Sequence, residues 1–291
     1  MRIITTVEEM HAFSSEKRRE GKKIGLVPTM GFLHEGHLSL VDKAKEFSDV
    51  VVVSIFVNPT QFAPNEDFSQ YPRDEERDKK LLSEKGVDAI FFPQADEIYG
   101  PGYQTYVDVT EITKKQEGEF RPTHFKGVTT IVSILFNCVM PDFAVFGQKD
   151  AQQASVIKRM VKDLKFNINI IIAPIVREAD GLAKSSRNIY LSEKERKDAL
   201  ILSSSLRYAE QMILAGERNV NAIIMEMTKQ IAKVDTAHID YVRIVEIDSF
   251  HEDKNLASGK EYYILIACKI GNTRLIDNQL VKVISEKDLA I

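Results

Sequence analysis

The residues best suited to chemistry lie in polar loops, and the first of these contains two histidines three residues apart. The sequence His34-Glu35-Gly36-His37 follows a short apolar run, residues 24–27, and precedes an apolar helical repeat. A helix N-terminus offers unpaired backbone N–H groups and a partial positive charge, which attract phosphate. Two imidazoles at that point add donors, so the motif predicts an anion site. A zinc pair, a purely structural pair and two histidines without a role stay open as alternatives.

Two further polar loops carry cationic side chains. Gly147-Gln148-Lys149-Asp150 follows an apolar run, and a lysine there can neutralise phosphate as a point charge. The alternative is an ordinary turn in which Asp150 caps the next helix, and both can hold together. Lys184-Ser185-Ser186-Arg187 combines two hydroxyls with a guanidinium, which suits a clamp over phosphate oxygens. Such a string is also typical of a solvated loop.

Three carboxamides are predicted at the same edge of a sheet. Asn58 and Gln61 follow the run at residues 50–57, which is predicted to be the most buried strand, and Gln153 lies one turn into the helix after Lys149. An amide has both a donor and an acceptor, so it can bind the hydroxyl and carboxylate groups of a small polar substrate. Each of them can instead cap a backbone group. Their common position favours a pocket.

Alternating strands and helices must position these loops. Apolar runs predict strands at residues 24–27, 50–57, 88–92, 143–146 and 167–173, and helical repeats predict helices from residue 37 and over 73–85, 128–139 and 150–163. This alternation predicts a Rossmann-like, doubly wound parallel sheet of the α/β class. Such a sheet binds its ligand at the carboxyl ends of its strands, which is where the polar loops begin.

The pattern changes near residue 175 and predicts a smaller α+β C-terminal domain. Ser192 and Glu195 form a capping box that opens a long helix, and a second helix covers residues 222–234. Strands are predicted over 241–245, 262–270 and 273–276. The predicted domains are therefore 1–175 and 176–291.

Composition narrows the class of protein. The chain has 291 residues, a formal net charge of −4 and two cysteines, Cys138 and Cys268. Mild acidity gives no general attraction to nucleic acid, and two cysteines inside apolar runs indicate reduced thiols in the cytoplasm. No signal peptide or membrane span is predicted. P-loop, dinucleotide-binding and Gly-x-Ser-x-Gly motifs are absent from the sequence.

Taken together, the motifs resemble the pantothenate synthetase (pantoate–β-alanine ligase) family of the nucleotidyltransferase superfamily. The resemblance covers residues 24 to about 192. The matching segments are Pro28-Thr-Met-Gly-Phe-Leu-His-Glu-Gly-His37, Ser54-Ile-Phe-Val-Asn-Pro-Thr-Gln-Phe62, Tyr71-Pro-Arg73, Arg121-Pro-Thr-His-Phe125, Gly147-Gln-Lys-Asp-Ala-Gln-Gln153 and Val176-Arg-Glu-Ala-Asp-Gly-Leu-Ala-Lys-Ser-Ser-Arg-Asn188.

The resemblance implies a ligase that condenses pantoate with β-alanine. Pantoate would attack ATP, accompanied by Mg²⁺, to give pantoyl adenylate and pyrophosphate. β-Alanine would then displace AMP to give pantothenate. A cytoplasmic homodimer is implied, with residues 1–175 binding nucleotide and pantoate and residues 176–291 forming a lid. Ligands for Mg²⁺ are not indicated.

The resemblance also implies roles for individual residues. The catalytic set would be His34, His37 as proton donor, Lys149, Ser185, Ser186 and Arg187. ATP would be bound by Met30, Gly31, Phe32, Leu33, His34, Glu35, Gly36, His37, Gly147, Gln148, Lys149, Asp150, Val176, Lys184, Ser185, Ser186 and Arg187. Pantoate would be bound by Gln61 and Gln153, with Gln61 also near β-alanine, and Asn58, Tyr71 and His124 match further substrate-site segments.

Two positions depart from the family pattern. Residue 184 is Lys where the family more often has an apolar side chain, and residue 148 is Gln where many members have Glu.

Two other functions are compatible with parts of the pattern. One is a nucleotidyltransferase that acts on a phosphorylated alcohol, and the other is a catalytically silent nucleotide sensor.

Overall fold

The structure is a computed structural model that describes residues 1–62, 68 and 71–284. The chain divides into two compact units, the first made of Met1–Gln148 with Gln152–Pro174 and the second of Lys149–Ala151 with Ile175–Ile291. Each unit has a sheet of its own. In the part of the chain that the structure describes, no helix is long and apolar enough to cross a membrane.

The first unit is built on a parallel sheet of six strands in the order β1-β4-β3-β2-β5-β6. Their bounds are β1 Arg2–Ile4, β2 Ile24–Thr29, β3 Val50–Ile55, β4 Ala89–Phe91, β5 Phe143–Gly147 and β6 Asn169–Ala173. The order reverses between β2 and β5. Because parallel sheets open a crevice at such a reversal, the carboxyl ends of β2 and β5 mark the sheet edge at which a ligand site is expected.

Helices cover both faces of this sheet, which confirms the doubly wound α/β class. They are α1 Val7–Arg19, α2 Glu35–Lys45, α3 Glu75–Glu84, α4 Ala95–Ile98, α5 Glu117–Phe120, α6 His124–Val139 and α7 Ala151–Leu164. Along β3, Val50 and Val52 pack into the core formed with α1, α6 and α7, whereas Val51 and Val53 pack into the core formed with α2 and α3. Burial on both faces explains the unbroken apolar sequence of this strand.

The N-terminal elements and some boundaries differ from the prediction. Strand β1 is only three residues long and helix α1 carries few apolar residues, so the sequence predicts neither of them; only Met10, Phe13 and Ser14 are buried along α1. Helix α6 begins at His124, four residues earlier than predicted. A 3₁₀ turn covers Gln148–Asp150, so helix α7 begins at Ala151.

The second unit is an α+β arrangement, as predicted. Its helices are α8 Glu193–Asp198, α9 Leu200–Leu214 and α10 Val220–Ile231, and its antiparallel sheet has the order β7-β8-β9, with β7 Ala237–Glu246, β8 Glu261–Ile270 and β9 Thr273–Lys282. The capping box of Ser192 and Glu195 is present. The single long helix predicted after it is wrong, because the chain breaks at Ala199 into α8 and α9. Strand β9 runs six residues beyond its predicted end.

Both cysteines are buried free thiols, one in each unit. Burial raises the pKa of the Cys138 and Cys268 thiols to about 11, so both stay protonated at neutral pH. Neither is therefore placed to act as a nucleophile.

Candidate active site

The loop between β2 and α2 has a backbone shape that a buried carboxylate holds in place. Gly31 and Phe32 both have positive φ angles, 83° and 49°. Asp78, which α3 contributes, accepts the backbone N–H of Phe32 at 2.7 Å and that of Leu33 at 2.8 Å. A Cβ at Gly31 would lie 3.1 Å from Asp78 Oδ2, so the loop needs glycine both for its φ angle and for space.

Asp78 is a positioning residue of the first unit that the sequence analysis did not predict. Its side chain is 2% exposed, and burial raises the pKa of its carboxyl group against the opposing effect of the two backbone N–H groups. In the sequence it lies within Asp74-Glu-Glu-Arg-Asp-Lys-Lys80, where charged side chains normally face solvent. The signal in the sequence is that position 78 precedes Leu82 by four residues, so both lie on the same face of a helix.

The two histidines close the first turn of α2 as a capping box. His34 is the N-cap residue, and its Nδ1 accepts the backbone N–H of Gly36 at 3.1 Å. The Nδ1 of His37 accepts the backbone N–H of His34 at 3.3 Å. The two ring centroids are 4.1 Å apart. Two otherwise unpaired N–H groups of the helix terminus are thereby bonded within the motif itself.

These bonds determine which ring nitrogen carries the hydrogen. A backbone N–H can only donate, so Nδ1 of His34 and Nδ1 of His37 must each present a lone pair. In the neutral ring the hydrogen then lies on Nε2, which makes Nε2–H the donor of both side chains. The motif thus provides two oriented N–H donors at the positive end of a helix, which supports the anion-site interpretation over a purely structural pair.

A second group of side chains lies where β3 ends. Asn58 is 1% exposed and caps the 3₁₀ turn Pro59–Gln61. The carbonyl oxygen of Gln61 accepts from His124 Nδ1 at 3.2 Å. A Cβ at Gly127 of α6 would lie 2.6 Å from the Gln61 backbone, so glycine allows α6 to approach this turn. The amide nitrogen of Gln61 lies 2.8 Å from Met30 Sδ. This contact joins the group to the loop between β2 and α2, residues 30–34, here called the histidine loop.

The other residues predicted to bind substrate are Tyr71 and Gln153. Tyr71 is 9% exposed, and its ring packs against Phe62 at 6.0 Å between centroids. Gln153 is half-buried near the start of α7. Its neighbour Gln152, not singled out in the sequence, is buried and bonds the Glu117 N–H and the Ile112 and Lys115 carbonyl oxygens.

In the second unit, an ion pair supports the segment that precedes Ser185-Ser186-Arg187, here called the serine loop. Arg177 donates to both oxygens of Asp277, at 2.7 Å and 2.9 Å, and also to the Gly181 carbonyl oxygen. Asp277 is almost fully buried on β9, so this charge depends on Arg177 for its compensation. The Val176 carbonyl oxygen accepts the Lys184 N–H at 2.9 Å, which closes the turn that leads into the serine loop.

Strand β9 also holds the backbone at Lys149. Asn278, next to Asp277 on β9, donates to the Lys149 carbonyl oxygen at 3.0 Å. Arg177 in turn donates to the Asn278 carbonyl oxygen at 3.2 Å. Residues 177, 277 and 278 therefore fix both the backbone that carries Lys149 and the turn before Ser185. A polar Asp-Asn pair interrupting an apolar strand is the sequence signal that marks them.

The serine loop is partly ordered by its own side chains. Ser185 Oγ accepts the Arg187 N–H at 3.3 Å and opens a 3₁₀ helix, Ser186–Tyr190. Asn188 donates to Glu178 Oε1, and Arg196 donates to the second oxygen of the same carboxylate. The side chains of Ser185, Ser186, Arg187 and Lys184 are all half-buried.

In the first unit, bonds to Gln61 thus link Met30, Asn58 and His124, and Met30 lies in the same loop as His34 and His37. In the second unit, Lys149, Val176, Lys184 and the serine loop come together around β9. Gly147 ends β5, and Gln148 and Asp150 lie in the turn that follows it. Across residues 1–62, 68 and 71–284, no three His, Cys, Asp or Glu side chains are grouped so that they can hold a metal ion.

Comparison with known proteins decides the family. The family model described as Pantoate-beta-alanine ligase matches residues 2–280. The chain belongs to the pantoate–β-alanine ligase family. The expected enzyme class and the resemblance are therefore confirmed, and the match extends beyond the segment from residue 24 to about 192 that carries the resemblance.

Relatives and solved structures agree with this assignment. The pantothenate synthetase of Thermotoga petrophila is 53% identical over 281 residues, covering 97% of this chain and 100% of that protein. The crystal structure of pantothenate synthetase from Thermus thermophilus has a TM-score of 0.89 at 41% identity and covers 98% of this chain and 100% of its own. The pantoate–β-alanine ligase of Francisella tularensis was solved in complex with β,γ-ATP and β-alanine. It has a TM-score of 0.78 at 34% identity, and the match covers 96% of this chain and 97% of that chain.

Replacement of Asp78 tests the first of the positioning contacts. In Asp78→Asn one side-chain oxygen remains for the two N–H groups of Phe32 and Leu33, and the new NH₂ group faces a donor. We expect the free energy of unfolding to fall by about 1–3 kcal/mol, measured by urea denaturation. Glu76→Gln is the control, because Glu76 lies on the same helix with its side chain 88% exposed. Equal stability of the two variants would contradict a holding role for Asp78.

Proposed function

We propose that this ligase makes pantothenate from pantoate and β-alanine at the expense of ATP, by way of pantoyl adenylate. The observation that carries the proposal is the histidine capping box at the carboxyl end of β2, in a chain of the pantoate–β-alanine ligase family. The Francisella relative, which was solved in complex with β,γ-ATP and β-alanine, supports the choice of substrates.

The first step joins two anions, and this sets what the protein must supply. A carboxylate oxygen of pantoate attacks the α-phosphorus of ATP, and the bond to the β-phosphate oxygen breaks to release pyrophosphate. Negative charge accumulates on the phosphate oxygens as the bond breaks. Positioned donors and cations lower that barrier because they need little rearrangement during the reaction.

Each proposed phosphate ligand fits this requirement by its chemistry. The Nε2–H groups of His34 and His37 would donate hydrogen bonds to phosphate oxygens. His37 would also act as the proton donor. Lys149 would neutralise charge that develops during transfer. Ser185, Ser186 and Arg187 would bind the β- and γ-phosphates, since a guanidinium grips two oxygens at once. Met30 to His37 and the Val176 backbone would surround the nucleotide.

The second step needs the acyl carbon of pantoyl adenylate to meet the amine of β-alanine. The amine attacks the carbonyl carbon, the bond to the AMP oxygen breaks, and the amine loses a proton. Gln61 and Gln153 would bind the pantoyl group, with Gln61 close to β-alanine. Asn58, Tyr71 and His124 would complete the substrate region; the bonds of Asn58 and His124 to Gln61 support an indirect part for both.

Further features of the enzyme are proposed from the family alone. Mg²⁺ would enter as its complex with ATP, because triphosphate oxygens are the ligands that this ion prefers. A cytoplasmic homodimer is proposed on the same ground. The domain division at residue 175 and the role of residues 176–291 as a lid also stay predictions.

Substrate-dependent release of AMP tests the function. Purified protein is incubated with pantoate, β-alanine and MgATP, and with each component omitted in turn. We expect AMP only when all are present, together with exchange of labelled pyrophosphate into ATP when pantoate is present without β-alanine. Pyrophosphate release that ignores pantoate but responds to another acceptor would favour the nucleotidyltransferase alternative.

Replacement of Lys149 tests its proposed part in the first step. In Lys149→Met the charge is lost while the length of the side chain is nearly kept. We expect kcat for pantothenate formation to fall on the order of 100-fold, since charge stabilisation in the transition state is lost. Lys158→Met serves as the control, because Lys158 is exposed on the helix that follows. Turnover that is unchanged in Lys149→Met would exclude the assigned role.

A further inference from the structure

The amide of Asn58 lies at the centre of a buried hydrogen-bond network with an unambiguous orientation. Its Oδ1 accepts the backbone N–H of Thr60 at 3.3 Å, and a backbone N–H can only donate. Its Nδ2 donates to the carbonyl oxygen of Gly127 at 3.1 Å, and a carbonyl can only accept. The two main-chain groups therefore show which end of the Asn58 amide is oxygen and which is nitrogen.

The orientation of Gln61 follows from that of Asn58. The second hydrogen on Asn58 Nδ2 points to the Gln61 side chain, 3.2 Å away, so the atom that faces it must be the acceptor Oε1. The Gln61 NH₂ group is then directed the other way, toward Met30 Sδ at 2.8 Å. Gln61 consequently presents donors, rather than its carbonyl oxygen, toward the histidine loop.

Tyr99 bonds the opposite side of the Asn58 amide. Its hydroxyl donates to Asn58 Oδ1 at 2.8 Å, the shortest of the bonds to that oxygen; the Thr60 hydroxyl donates at 3.0 Å. Burial raises the pKa of Tyr99 to about 12, so the hydroxyl keeps its hydrogen at neutral pH. The ring is held by Phe56 at 6.2 Å and by Tyr103 at 4.9 Å between centroids.

We propose that Tyr99 is a positioning residue for pantoate, which acts through Asn58 to keep the NH₂ group of Gln61 turned toward a substrate oxygen. The inference rests on the proposed function, because it takes Gln61 as a pantoate-binding residue. Among the bonds described, the Tyr99 hydroxyl reaches Asn58 Oδ1 and, at 3.2 Å, the Thr60 hydroxyl, which itself bonds Asn58 Oδ1. Its effect on Gln61 is therefore transmitted through the Asn58 amide.

The chemistry of pantoate fits a donor at this point. Pantoate carries a carboxylate, which only accepts hydrogen bonds, and two hydroxyls, each of which has lone pairs. A Gln61 side chain that rotates by half a turn would present its carbonyl oxygen instead. That oxygen would repel a carboxylate and would leave the Asn58 donor without its acceptor. Fixing the amide therefore favours substrate binding without any direct contact from Tyr99.

Removal of the Tyr99 hydroxyl is the first test. In Tyr99→Phe the ring and its packing remain, whereas the bond to Asn58 Oδ1 and the contact with the Thr60 hydroxyl are lost. We expect the KM for pantoate to rise about fivefold to tenfold, with the KM for ATP unchanged and kcat changed less than twofold. Tyr103→Phe is the matched control, because it removes a hydroxyl from the neighbouring ring that makes none of the Asn58 bonds described. It should leave all three constants as they are.

A double-mutant cycle separates positioning from a general structural effect. Gln61→Glu replaces the donor NH₂ with an oxygen, so it should raise the KM for pantoate strongly by itself. If Tyr99 acts through the Gln61 amide, adding Tyr99→Phe to Gln61→Glu should raise that KM less than twofold further. Independent effects that multiply in the double variant would overturn the inference.

The remaining outcomes are also decisive. If the unsubstituted enzyme makes pantothenate but Tyr99→Phe and Tyr103→Phe have equal KM values for pantoate, the role of Tyr99 is overturned and the proposed function is not. A parallel rise in the KM values for pantoate and ATP would indicate loosened structure and would overturn it as well. If the unsubstituted enzyme itself releases no pantoate-dependent AMP, the proposed function fails, and the inference that rests on it fails too.

Discussion

Two hydrogen bonds from backbone N–H groups to histidine Nδ1 atoms are the interaction on which the rest of the candidate site depends. They tie His34 and His37 to the first turn of α2, and they leave the hydrogen of each ring on Nε2. A helix terminus normally directs its own N–H groups at an anion. Here two backbone N–H groups are instead bonded by imidazole nitrogens. The two rings present their own Nε2–H groups as donors to an anion.

Buried polar side chains, rather than the reacting groups, determine the shape of the loops around this motif. Asp78 holds the residues before the histidines, and Asn58 orients Gln61. Within the second unit, Asp277 and Arg177 play the corresponding part for the segments that carry Lys149 and the serine loop. Asp78, Asn58 and Asp277 are buried polar groups that would cost stability without their partners, so their bonds both stabilise the fold and hold segments of the candidate site.

The sequence predicted the parallel sheet and the positions of the polar loops, because apolar runs and strand-end motifs are local signals. Strand β3, with Val50 to Val53 buried on both faces, is the clearest case. The positioning residues were not predicted, since Asp78 and Tyr99 reach their partners through contacts between segments far apart in the chain. Strand β9 was predicted too short for the same reason: Asp277 resembles the end of a strand until its pairing with Arg177 is known. The family resemblance, not the spacing alone, supplied the substrates.

The tautomer of the two histidines is the most direct test of this account. ¹⁵N-detected NMR of histidine-labelled, ligand-free enzyme above neutral pH distinguishes protonated from unprotonated ring nitrogens, and His34→Gln and His37→Gln variants assign the two rings among the six histidines of the chain. The account predicts an unprotonated Nδ1 and a protonated Nε2 in both rings. A hydrogen on Nδ1 of either ring in the folded enzyme would contradict it.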